Sequence, residues 1–163
     1  VSGYAARFGV LSLNLGGFRE VIAPGAFAQA LKGADVRALL NHENWPILGR
    51  TSAGTLRLWE DGQGLAFSLD LPEIPIVREL VVALERGDLT GTSFAFLGVE
   101  DAWDVHDSVP VRTIRSFGEL RDVSLVTFPA YADAEASLVL RAAAPPSTPR
   151  KDAVLARLGR PAR

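Results

Sequence analysis

Two periodicities divide this chain. Over "GTLRLWEDGQGLAFSLDLP", residues 54–72, Leu56 and Leu58 alternate with Thr55, Arg57 and Trp59. Further on, Leu65, Phe67 and Leu69 alternate with smaller or polar residues. Period two predicts a pair of strands. Asp61-Gly62 between them is a favoured hairpin-turn dipeptide. In "PIVRELVVALERGD", residues 75–88, the period changes. Ile76, Val77, Leu80, Val81 and Leu84 lie close to one face of a helix, and Gly87 ends it. A second, shorter helix is predicted after Pro24-Gly25, with Phe27, Ala30 and Leu31 at helical spacing and Gly33 near its end.

Strand patterns also run through "GYAARFGVLS", "DVRALLNH" and "TGTSFAFLGVEDAWDV". "VPVRTIRSFGELRDVSLVTFP" predicts two more strands, with Gly118 as a bend or bulge between them. Six or seven strands and two helices without regular alternation argue against a doubly wound sheet. The expected fold class is mainly β with flanking helices, as a closed or nearly closed antiparallel β-barrel. "AAAPPSTPR" then changes the character of the chain, and a short basic stretch ends it. The expected division is a domain over 1–141 and a flexible Pro-rich linker with a basic tail over 142–163.

Composition narrows the chemistry. The 163 residues suit one domain, and a net charge of −2 argues against nucleic acid as a partner. No stretch approaches the roughly 18 apolar residues of a membrane span. The start, "VSGYAARFGV", shows no basic leader with a long apolar run, so neither a membrane nor a secretory signal is expected. The absence of cysteine excludes disulfides, thiolate zinc sites and cysteine nucleophiles. With only two histidines a multi-histidine metal site is not expected, and no cofactor is implied. Hydroxyl nucleophiles, carboxylates, His42 and His106 remain.

His42 follows the apolar pair Leu39-Leu40 and precedes a turn through Asn44, Pro46 and Gly49. An imidazole at a strand end is placed either for acid–base work or to cap a loop. Ser93 lies mid-strand in "GDLTGTSFAF". Alternation sends Thr92, Phe94 and Phe96 to one face and Ser93, Ala95 and Leu97 to the other. Taken alone, Ser93 is an ordinary solvent-facing strand serine. Asp122, Ser124 and Val126 share one face of a later strand, while Val123, Leu125 and Thr127 share the other. Glu119 is a second carboxylate nearby, with parity opposite to Asp122 unless a bulge intervenes. Each acid alone reads as a partner for Arg115 or Arg121. Together the three elements suit a serine that needs a base, and a base that needs an orienting carboxylate. No G-x-S-x-G is present, so the nucleophile-elbow signature is absent. His106, in "WDVHDSV", reads as an exposed loop histidine.

The pieces "GYAARFG", "EVIAPGAF", "LLNHENWPILGRTSAGTLRLWEDGQGLAF", "LERGDLTGTSFAF" and "RTIRSFGELRDVSLVTFPAY" stand in this order over roughly residues 3–140. In these the chain resembles the HK97-type prohead (capsid maturation) serine proteases of tailed bacteriophages, with their gene transfer agent homologues. Thr92 stands where such proteins commonly carry methionine, and Ala95 where they often carry glycine. "DVS" stands for their usual "EVS". The resemblance implies a barrel like that of the herpesvirus assembly proteases. It implies His42, Ser93 and Asp122 as the catalytic set, with Glu119 as the alternative third member. It further implies an endopeptidase that cuts the scaffold, or the scaffolding region of the major capsid protein, and then itself. That would occur inside the procapsid in the bacterial cytoplasm, with self-association as a further expectation.

Two other readings fit the residues. One is a non-catalytic scaffolding or structural capsid-assembly protein on the same fold. The other is a binding module using Trp45, Trp59 and Trp103, although these share no common spacing.

Overall fold

The computed structural model describes residues 1–106 and 109–138. The expected linker and tail, 142–163, lie outside the described residues. The elements are β1 (Ser2–Arg7), β2 (Arg19–Ile22), β3 (Arg37–Leu40), β4 (Gly49–Arg50), β5 (Leu56–Glu60), β6 (Gly64–Leu69), α1 (Pro75–Arg86), β7 (Gly91–His106), β8 (Val109–Val126) and β9 (Ala136–Ser137).

The hairpin lies where the alternation puts it. Glu60 pairs with Leu65 and Leu56 with Leu69, and the Asp61 amide donates to the Gly64 carbonyl at 3.1 Å, so the turn centres on Gly62-Gln63, one residue beyond the expected Asp61-Gly62. Asp61 Oδ1 accepts from the Gln63 and Gly64 amides at 2.7 and 3.1 Å, so the turn closes on its own side chain. Leu56, Leu65, Phe67 and Leu69 are buried. α1 also matches its pattern: Pro75 opens it, and Gly87 closes it at φ 75°, where a side chain would be strained. Val77, Leu80 and Leu84 are buried, while Ile76 faces outward.

The second helix does not form. Residues 24–33 run as consecutive turns. The Ala26, Ala28, Lys32 and Ala34 amides reach the carbonyl three residues back, and only Leu31 reaches four back, to Phe27. Pro24-Gly25 leaves a segment too short to offset the cost of helix nucleation. Its apolar side chains still serve the core: Ala26 and Phe27 are fully buried.

The barrel expectation is corrected as well. The strands form two sheets that do not close on each other. One is four-stranded, in the order β5-β6-β1-β9. The other is five-stranded, with β2-β8-β3-β4 in order and β7 also paired to β8. Nor is the second sheet antiparallel throughout, because β2 and β3 both run parallel to β8. The length of β8 explains this. "VPVRTIRSFGELRDVSLV" is one strand of 18 residues, not two. Along one edge it pairs with β7, from Val126 opposite Gly91 to Val109 opposite His106. Its remaining hydrogen-bonding edge is shared by β2 and β3.

The irregularities in this long ladder fall beside Gly118 rather than on it. The register shifts between Ala95 and Phe96 and again between Glu100 and Asp101, leaving Arg121 and Arg115 as extra residues of β8. Gly118 instead allows close approach, since a Cβ there would lie 2.9 Å from the Leu97 carbonyl oxygen.

The face of β7 and β8 opposite Ser93 builds the core. Phe27 stacks on Phe117 at 4.5 Å between ring centroids, and Phe94 meets both edge-on at 5.2 and 5.3 Å. Leu120, Val123 and Leu125 are buried on this side. The alternation read from "TSFAF" is therefore realised, aromatics inward and Ser93 outward.

Candidate active site

β7, β8 and the turn after β3 bring the candidate residues together. Ser93 pairs with Ser124 across the antiparallel ladder, and Ala95 pairs with Asp122. Opposed residues in such a ladder project from the same face. Ser93, Ser124 and Asp122 thus share one face, with the core on the other. On the far side of β8, Leu39 of β3 pairs with Ser124 and Leu40 with Leu125.

Beyond Leu40 the chain turns sharply. Asn41 and His42 are the described non-glycine residues with positive φ, at 51° and 59°. Asparagine tolerates this region because its short polar side chain bonds locally. Here Asn41 Oδ1 accepts from the Thr127 amide at 2.9 Å and from the Thr127 hydroxyl at 3.3 Å. The Asn41 amide donates to the Leu125 carbonyl at 2.8 Å, and the Glu43 amide to Leu40 at 3.0 Å. The turn is thereby fastened to the end of β8. It folds the imidazole back over the sheet, where His42 Nδ1 lies 2.7 Å from Asp122 Oδ1.

Asp122 is largely buried, its side chain 11% exposed, whereas the His42 side chain is 37% exposed. A carboxylate only accepts, so the proton of this contact resides on Nδ1 and Nε2 is left as an acceptor. The expected pairing of His42 with Asp122 is therefore present.

Glu119 is placed differently. The extra residue Arg121 restores Glu119 to the face of Asp122, opposite Leu97, so parity does not separate the two acids. Distance does: Leu97 lies four residues beyond Ser93, about 13 Å along a strand. Glu119 is itself engaged by Arg121 at 3.1 Å on the surface.

Ser93 is half-buried, and its hydroxyl makes no hydrogen bond to another described residue. The serine hydrogen-bonded to Asp122 is Ser124, at 2.6 Å. Alternation placed Ser124 on the right face but carried no sign of a role. Asn41 was equally unmarked, although asparagine directly after a strand is a signal for left-handed backbone.

The start of β7 is held from its other edge. The Thr92 amide donates to the Ala134 carbonyl at 3.1 Å, and the Ala136 amide to Thr90 at 2.8 Å. Thr92 is fully buried, and its hydroxyl donates to the Tyr4 carbonyl at 2.7 Å. A threonine at this position is thus satisfied without disturbing Ser93. Tyr131 anchors the same loop by donating to Glu20 Oε1 at 2.9 Å. Burial, then the Glu20 charge, pushes the Tyr131 hydroxyl far above its ordinary range, so it stays protonated.

A groove of about 310 Å³ opens beside the imidazole, lined by Asn41, His42, Val126, Thr127 and Phe128. Phe128 is 91% exposed, an unusual position for a large apolar ring. A larger cavity, about 520 Å³, lies on the other sheet beside Tyr4, Trp59 and Glu135. Among the described residues its serines and Glu135 have no histidine beside them to act as base, so the smaller groove, which His42 lines, is the relevant one.

Trp45, Trp59 and Trp103 are all exposed but lie apart in the chain, on the loop between β3 and β4, on β5 and on β7. Trp103 belongs to β7 and packs against Phe18 at 5.3 Å between ring centroids. His106 is likewise not on a loop by its backbone, which ends β7; its side chain lies outside the description. Among the described residues no cluster of three or more histidines and carboxylates could hold a metal ion. Among the described residues no helix is long and apolar enough to cross a membrane.

A family model for the caudovirus prohead serine proteases matches residues 1–147. No curated protein and no solved structure matches the chain.

Proposed function

The chain belongs to the caudovirus prohead serine protease family, and from that premise we propose that it is a serine endopeptidase of capsid maturation with His42, Ser93 and Asp122 as its catalytic residues. The observation that carries this is the 2.7 Å contact between His42 Nδ1 and Asp122 Oδ1, on the sheet face that Ser93 shares.

The chemistry follows from the arrangement. Asp122 holds Nδ1–H, so Nε2 is free to take the Ser93 proton as Oγ attacks the scissile carbonyl carbon. The imidazolium formed is stabilised by the Asp122 carboxylate. It then protonates the leaving amine nitrogen, the peptide C–N bond breaks, and an acyl group remains on Ser93. Water attacks that ester with His42 again as base; the imidazolium returns the proton to Ser93 Oγ as the ester C–O bond breaks, and the acid product leaves. The half-exposed imidazole and the adjoining groove give an extended peptide access to this point.

The substrate we assign is the scaffold, or the scaffolding region of the major capsid protein, followed by the protease itself. The site of action is the interior of the procapsid in the host cytoplasm. The test is co-expression with the capsid protein, combined with a serine-directed phosphonylating probe. The expected result is capsid-protein cleavage and one adduct, on Ser93, which His42→Ala greatly slows. Unchanged capsid processing by Ser93→Ala would refute the assignment.

A further inference from the structure

We propose that Ser124 is a positioning residue, fixing both the carboxylate and the backbone of the base. This rests on the His42/Ser93/Asp122 reading above. The Ser124 hydroxyl has one proton, donated to Asp122 Oδ1 at 2.6 Å. The same oxygen atom, Ser124 Oγ, accepts from the His42 backbone amide at 3.3 Å. One hydroxyl therefore ties the acid to the main chain that carries the base. Ser124 is fully buried, so no solvent competes for either contact.

The geometry gives this link two consequences. Asp122 Oδ1 receives both the Ser124 proton and the contact from His42 Nδ1, which fixes the rotation of the carboxylate toward the imidazole. The amide taken by Ser124 belongs to the second of two left-handed residues, where the turn has most need of an outside partner. The contacts also separate Ser124 from the nucleophile. Its proton is already given to a carboxylate and its oxygen is closed to a substrate, whereas Ser93, directly opposite in the ladder, is half-buried and open.

The test is Ser124→Ala, assayed on a cleavable peptide across pH. Loss of one charge-assisted hydrogen bond is expected to lower kcat about ten- to a hundredfold with KM little changed. With one donor fewer on Oδ1, the carboxylate holds the imidazolium more strongly. The acid limb of the kcat/KM profile therefore moves to higher pH, and the His42 ring titration followed by NMR moves with it. Ser124→Thr, which keeps the hydroxyl, is expected to restore the limb. If the alanine variant does not fold, Ser124→Cys, nearly isosteric and a weak donor, is expected to shift kcat and the limb in the same directions. A lower Tm with unchanged kcat and unchanged limb would make Ser124 a packing residue and overturn the proposal, while leaving the Ser93 adduct in place. A probe adduct on Ser124 would overturn it differently, making Ser124 the nucleophile. Full cleavage by Ser93→Ala would overturn this proposal together with the reading beneath it.

Discussion

His42 Nδ1 and Asp122 Oδ1 lie 2.7 Å apart although 80 residues separate them in the chain. A parallel pairing of β3 with β8 brings them near, and a left-handed turn completes the approach. Ser93 reaches the same face from the opposite edge of β8.

If Ser93 is the nucleophile and His42 the base, as proposed, their removal should separate activity from stability. Ser93→Ala and His42→Ala are each expected to lower peptide cleavage by at least about a thousandfold. Neither side chain fills the core, so unfolding free energies should stay within about 1 kcal/mol of the parent. Paired cleavage assays and denaturant titrations check both halves.

The two acids should behave oppositely. Asp122→Asn keeps the shape but turns a pure acceptor into a group that can present a donor to Nδ1, and cannot stabilise the imidazolium equally. A fall in kcat of about three to four orders of magnitude is expected. Glu119→Gln loses a surface pair with Arg121 and should cleave at close to the parental rate. An inactive Glu119→Gln beside an active Asp122→Asn would reverse the assignment.

Asn41 offers a test of the turn. Asn41→Gly keeps the left-handed backbone at no steric cost but loses the acceptor for Thr127. Asn41→Ala loses the acceptor and adds strain of about 1 kcal/mol at a φ of 51°. The alanine variant should therefore be the less stable of the two. Both should cleave more slowly than the parent, with Tm and kcat as the readouts.

Away from the site, Asp35 should make stability depend on pH. Hydrogen bonds from Arg50 and then Ser52, with the charges of Arg50 and Arg37, hold its carboxyl well below the usual carboxylate range. A depressed folded pKa contributes stability that is present above the unfolded value, about 3.9, and lost as pH falls toward the folded one. The parent should exceed Asp35→Asn by a constant margin above about pH 5 and lose that margin progressively below about pH 4. Added salt should narrow it, because the pair is partly exposed. Urea titrations from pH 2 to 7 measure it.

The terminal segment gives a prediction from composition alone. "AAAPPSTPR" has three prolines and no core pattern, and the basic end carries Lys151, Arg157, Arg160 and Arg163. Deleting 142–163 is expected to preserve Tm and peptide cleavage while reducing incorporation into procapsids. The family match extends to residue 147, so a shorter deletion, from 148 onward, serves as the companion variant in the same assays. A large drop in Tm would place the tail against the folded domain.

Local chemistry was enough to write the β5–β6 hairpin, α1 and the two faces of β7 into the sequence. Alternation, the glycine-bearing turn that follows Asp61 and the Pro75 and Gly87 boundaries each act within a few residues. The five ordered motifs likewise named His42, Ser93 and an acid near 120 as a set. What local chemistry does not contain is the partner of each strand. Two parallel neighbours along one edge of β8, rather than barrel closure, depend on contacts between distant segments. The same holds for the acid. Asp122 and Glu119 are both carboxylates on "GELRD", and a single extra residue, Arg121, puts them on the same face after all. Only the crossing of β3 beside β8, with Asn41 fastened to Thr127, brings the imidazole to Asp122. Side-chain type and spacing settle what a residue can do; the tertiary fold settles which partner stands within 3 Å of it.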